Sequence, residues 1–100
     1  MKIYTISTIR SFDEHGNISN RVVGFYRSRA LAEKVIETNS GDIYEQGYYP
    51  YAMIEEVEEG LYPYCPNALW YKWEGDKESG KYVPMDKPAI LKHIVNFTMG

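Results

Sequence analysis

The stretch RVVGFYRSRALAEKVIE, residues 21–37, changes its hydrophobic period in the middle. Its first part, RVVGFYR, is β-branched and aromatic and reads as a strand. From Ser28 onward, Leu31, Ala32, Val35 and Ile36 recur at helical spacing, with Arg29, Glu33, Lys34 and Glu37 around them. Ser28 stands at the junction as an N-cap, because a serine oxygen can accept from an unpaired N–H of the first turn. The spacing predicts an amphipathic helix over about 28–38, ended by Asn39-Ser40-Gly41 with the glycine in the left-handed turn. A strand feeding directly into a one-faced helix implies a sheet for that helix to cover.

The flanks supply the sheet. KIYTISTIR (2–10) alternates as a strand, and SFDEHGNISN, centred on Gly16-Asn17, is a hairpin loop returning to 21–27. DIYEQGYYP (42–50) is irregular. YAMIEEVEE (51–59) is a strand with Tyr51, Met53, Glu55 and Val57 on one side and Ala52, Ile54 and Glu56 on the other. GLYPYCPN (60–67) is a proline-containing loop; ALWYKWE, GDKESG and KYVP read as strand, turn and return strand. Asp86 can cap a short C-terminal helix with Pro88 in its first turn, and HIVNFTMG is apolar enough to dock on the domain. The expected fold is α+β: one domain over 1–100, a single antiparallel sheet of four to five strands, and the amphipathic helix packed on one face.

Around the turn 75–80 stand four rings. Leu69, Tyr71 and Trp73 share one strand face, Trp70 and Lys72 the other, and Tyr82 returns opposite. Core packing accounts for two or three of these rings, leaving Trp70, or else Trp73, as the candidate for a less covered face.

Charge is unevenly distributed. Residues 1–34 carry six basic and three acidic groups, whereas 35–71 carry no lysine or arginine and seven acids. That segment also holds Tyr44, Tyr48, Tyr49, Tyr51, Tyr62, Tyr64 and Tyr71. An acidic, tyrosine-rich surface repels nucleic acid and suits a partner with a basic patch. Glu55, Glu56, Glu58, Glu59, Tyr48, Tyr49 and Trp70 are the candidate contact residues. Acidic residues also keep strand edges from pairing wrongly, so the same pattern serves a solvated edge.

Catalytic chemistry finds little support. There is one cysteine, Cys65, and the histidines are His15 and His93. No zinc-ligand spacing, Walker loop, GxGxxG or GxSxG occurs. Cys65 would need a base such as His93, and Glu55 and Glu56 point to opposite strand faces with no evident third ligand. No catalytic residue, metal or cofactor is expected. No apolar run has the length of a signal peptide or membrane span, so a cytoplasmic setting without a membrane partner is expected.

The stretches MKIYTIS, RVVGFYRSRALAEKVIE, IEEVEEG and WYKWEGDKESGKYVP, with the DKP turn and terminal NFTMG, together resemble small α+β proteins of bacteriophages and prophages. That resemblance implies a host-cell cytoplasmic setting and an accessory role, with no active site carried over. The expected function is protein–protein binding, against a host or defence protein with a basic surface; a homodimer through a sheet edge is compatible with it. The alternative is a small-molecule or nucleotide-sequestering protein that stacks a base on aromatic rings, with Arg21, Arg27 or Arg29 nearby.

Overall fold

The computed structural model describes residues 1–15, 17–61, 65 and 67–91. Five strands, β1 (Lys2–Phe12), β2 (Ile18–Tyr26), β3 (Tyr51–Glu58), β4 (Ala68–Glu74) and β5 (Lys81–Met85), form one sheet. Their order is β2-β1-β3-β4-β5, and every neighbouring pair is antiparallel. The helix α1 (Arg29–Glu37) lies between β2 and β3 in the chain. Because β3 pairs with β1 on the side away from β2, the connection that contains α1 must cross β1. The architecture is broadly α+β.

Strand periodicity sorts the side chains into two cores. One cluster joins Ala32 and Ile36 of α1 to Ile6, Ala52, Ile54, Tyr71 and Tyr82 of the sheet, with Ile43 and Tyr44 from the following loop. The other joins Ile9, Met53 and Trp70 to Leu91, with Phe12, Ile18, Tyr51, Ala68 and Met85 packed against them. Both faces of the sheet centre are therefore covered. A single helix on one sheet face gave no reason to expect the second core, which depends on the chain beyond β5 returning over Trp70.

Ser28 is extended and its Oγ accepts from the Leu31 N–H at 3.3 Å, as an N-cap should. The other helix end adds to the expectation. Gly41 is left-handed, with φ 66°, but Asn39, directly after Thr38, already takes that conformation with φ 48°. Asparagine tolerates this region because its amide can bond locally. Here its Oδ1 accepts from the Tyr44 N–H at 3.0 Å and its Nδ2 donates to Asp42 at 3.2 Å. Two 3₁₀ turns, Ser40–Asp42 and Glu45–Gly47, follow.

The expected C-terminal helix is, among the described residues, a 3₁₀ turn at Ala89–Leu91, where the Leu91 N–H donates to Pro88 O at 2.9 Å. The segment HIVNFTMG with His93 lies outside the described residues, as do Tyr62 and Tyr64.

Candidate functional site

The register of β1 on β3 decides which acidic and aromatic residues meet. Lys2 faces Glu58 and Tyr4 faces Glu56, while Ile9 faces Tyr51 at the opposite end. An eight-residue strand spans roughly 23 Å, so Tyr48 and Tyr49, just before β3, stand at the far end of the sheet from Glu58 and Glu59. The contact residues expected from sequence do not form one face.

Two of them are not on the surface. Glu55 is 0 % exposed, opposite Thr5 on one side and Ala68 on the other. Burial pushes the Cys65 thiol up, and the nearby Glu55 carboxylate adds to this; Lys87 is lowered by burial, with Glu55 opposing the shift. A buried thiol held in its protonated form is a poor nucleophile. Trp70 is 2 % exposed and meets the edge of Phe12 at 6.5 Å between centroids. The indole was a surface candidate because β4 alternation alone could not show that this face is covered.

The other rings of the aromatic turn are also structural. Tyr44 stacks on Trp73, Tyr82 meets both edge-on, and the Trp73 Nε1–H donates to Asp76 O at 3.1 Å. At the same end, Tyr49 lies under the Arg21 guanidinium, 4.3 Å from its ring centroid. Arg21 also pairs with Glu45 and donates from Nε to Thr8 at 3.2 Å. The Tyr82 hydroxyl donates to Tyr49 O at 2.6 Å. These contacts pin the 42–50 loop to the sheet, leaving Tyr48, under Arg10, as its exposed ring.

The Lys2 end of the sheet is different. A cleft of about 580 Å³ opens there, lined by Lys2, Tyr4, Arg29, Ile54, Glu56, Asn67, Ala68 and Leu69. Glu56 is its polar centre. Its carboxylate accepts from Asn67 Nδ2 at 2.9 Å and pairs with Lys2 Nζ at 3.0 Å. The Asn67 hydrogen bond, then that from Lys2, hold the Glu56 carboxyl below its ordinary range, with a smaller contribution from Tyr4. The same pair holds the Lys2 ammonium above its ordinary value. Arg29 stands at the start of α1, loosely paired with Glu33 at 3.8 Å. The cleft surface is more polar than apolar, with Lys2, Tyr4, Arg29, Glu56 and Asn67 among its lining residues. Sequence reasoning singled out Glu56 here but not Lys2, Tyr4 or Asn67. The signal for the first two was the Lys-x-Tyr and Glu-x-Glu alternation, legible only once β1 and β3 are paired.

Exposed apolar side chains gather at this same end. Phe25 is 64 % exposed, and Met1, Tyr26 and Leu61 are also exposed. Tyr26 and Glu56 flank Tyr4 from either side, so the end of β2 is level with the later part of β3 across β1, while Phe25, opposite Thr5, belongs to the other face of the sheet. Glu58 and Glu59 are exposed there too. A second cleft, about 780 Å³, lies between β2 and the 40–45 loop. Its guanidinium, Arg21, is already engaged by Glu45, Thr8 and Tyr49.

Among the described residues no group of three His, Cys, Asp or Glu side chains could hold a metal, and no helix is long and apolar enough to cross a membrane. No family model matches the chain, and no curated protein or solved structure shows significant similarity to it.

Proposed function

We propose that the protein is a non-enzymatic binding module that docks a host protein through the Lys2–Glu58 end of its sheet. The observation that carries this reading is Phe25, a large ring 64 % exposed near the end of the edge strand β2, opposite Thr5 of β1 and towards the sheet end that also carries the exposed Glu58 and Glu59. Exposed aromatic residues with a polar rim have the composition of a protein interface. The chain's net charge of −3 and the two exposed glutamates favour a partner with an apolar centre and a basic rim. The accessory role in a phage-infected cell, implied by the resemblance of the opening strands and helix, belongs to this proposal, as does the host cytoplasm as its setting. The buried, protonated Cys65 thiol supports a role without nucleophilic catalysis.

The test compares wild type with Phe25→Glu and with the double variant Glu58→Lys, Glu59→Lys as bait in nuclease-treated bacterial lysate. A stoichiometric basic partner held by wild type should be lost by Phe25→Glu and weakened by the double variant, and the purified pair should repeat this. Equal retention by all three baits would remove this surface from the reading. Concentration-dependent self-association abolished by Phe25→Glu would instead make a second copy the occupant.

A further inference from the structure

We propose that β2 is an open pairing edge, through which two copies of this chain join antiparallel with Phe25 of each beside Val22 of the other. The inference goes beyond the docking reading: that reading uses the Phe25 ring, this one the Phe25 backbone.

Hydrogen bonds at the ends of β3 fix which way each strand's backbone points. The Glu59 N–H donates to Met1 O at 2.8 Å, continuing the register that sets Lys2 opposite Glu58. The N–H and C=O of one strand residue point to the same side, and the side alternates along an antiparallel strand. Odd-numbered residues of β1 therefore bond to β3, while Tyr4, Ile6 and Thr8 bond to β2, where they meet Tyr26, Gly24 and Arg21. Phe25, and Val22 beyond the extra residue Val23, turn their N–H and C=O away from β1. β2 ends the sheet, and among the described residues no backbone or side-chain partner comes to these groups.

The opposite edge is closed where this one is open. The Trp73 N–H donates to Pro50 O at 2.8 Å, so Trp70, Lys72 and Glu74 bond to Met85, Val83 and Lys81 of β5. The outward residues of β5 are then Tyr82 and Pro84, and proline has no N–H to offer. β5 is five residues long, against nine for β2. Short strands, prolines and charged side chains guard an edge against pairing. β2 has no proline, and its one charged side chain, Arg21, is held by Glu45, Thr8 and Tyr49.

The edge is complementary to itself, which selects a second copy as its occupant. A two-fold axis between Val23 and Gly24 sets Phe25 opposite Val22 of the second copy, and Val22 opposite its Phe25. All four backbones then point into the junction, as an antiparallel hydrogen-bonded pair requires. Phe25 and Val22 lie opposite Thr5 and Ser7, so both side chains stand on the face away from α1, where Val22 is 48 % exposed. Pairing puts these exposed apolar side chains against each other across the junction. Gly24 sits at the axis. A Cβ there would meet nothing within 4 Å in one copy, so packing within the monomer does not call for glycine. Glycine inside a strand is a mark of close approach by another backbone.

Sedimentation velocity of the full chain over about a hundredfold range of concentration should show a monomer–dimer equilibrium. In the dimer, the Val22 and Phe25 amide protons should exchange with solvent about tenfold or more slower than in the dilute chain. A mixture of isotope-labelled and unlabelled chain should give an intermolecular Phe25–Val22 contact by NMR. Phe25→Pro deletes the outward N–H without touching the bonds to β1 and should abolish the dimer. Phe25→Ala keeps that N–H and should weaken the dimer far less. A monomer at every concentration would overturn the pairing and leave host docking untouched. A dimer in which both amides exchange as fast as in the dilute chain would also overturn it. So would equal losses for Phe25→Ala and Phe25→Pro, which would put the association on the ring.

Discussion

The ring of Tyr44 lies flat on the indole of Trp73, with centroids 3.7 Å apart and planes inclined by 7°. This contact fastens the loop after α1 to β4, and Tyr82 closes it edge-on from β5. Loop, helix face and two strands thus share one aromatic cluster. Tyr44→Ala should cost about 3 kcal/mol, read as a lower urea midpoint. Tyr44→Phe keeps the stacked ring and should cost about 1 kcal/mol or less. Equal losses for the two variants would mean that the ring contact contributes little.

Gly80 is confined by the same turn. A Cβ there would lie 2.6 Å from both Asp76 O and Trp73 Nε1, two atoms already hydrogen-bonded to each other. Gly80→Ala should therefore destabilise by about 1–3 kcal/mol and disturb the indole signal in near-ultraviolet circular dichroism. A native spectrum and unchanged melting temperature would contradict this.

Glu55 of β3 and Glu59 just after it should differ in their response to charge reversal. Glu55→Lys places a new cation in a fully buried position, at a cost of about 3 kcal/mol or more. Glu59→Lys is on the surface and should change stability by about 0.5 kcal/mol or less. Thermal unfolding of the two single variants separates them. A stable Glu55→Lys protein would show that this position is not enclosed.

Stability should fall in acid through Glu56. Its folded pKa lies below the ordinary 4.5 because Asn67 and Lys2 donate to the carboxylate. A depressed folded pKa gives stability present above the unfolded value and lost as pH falls through the folded one. The urea midpoint should hold from neutrality down to about the ordinary value, then decline. Glu56→Gln should flatten part of that decline. Asp13, lowered chiefly by the Asn17 side chain, supplies a remainder. An identical acid profile for Glu56→Gln would sink the assignment.

At high pH the sign reverses. Burial pushes the Tyr71 hydroxyl up to about 12 from 10.0, and raises Tyr82 further, with Tyr44 adding to the shift. A raised folded pKa gives stability that is full below 10.0 and lost as pH rises through the folded value. Tyrosinate absorbance should therefore show some of the ten tyrosines ionising only with cooperative unfolding. In denaturant all should ionise near the ordinary value. Complete ionisation near 10 with the fold intact would exclude the burial of these rings.

What local chemistry could settle was legible in the chain. The period change at Ser28 located α1 and its cap, because helix capping involves atoms only three residues apart. Alternation in 51–59 set Glu55 on the opposite side of its strand from Ile54, and in 68–74 it set Trp70 opposite Tyr71, because side chains alternate along any strand; that Glu55 and Trp70 share a face came from the β3–β4 register. Coverage of those faces was not legible. Trp70 and Glu55 became interior residues only when Leu91, Cys65 and Lys87 were brought over that face by tertiary folding. The split between Tyr48 and Glu59, and the meeting of Lys2, Tyr4, Glu56 and Asn67 in one cleft, likewise depend on strand order and register. These are long-range pairings fixed by how two hydrophobic faces are jointly buried, and no short window of sequence contains both partners.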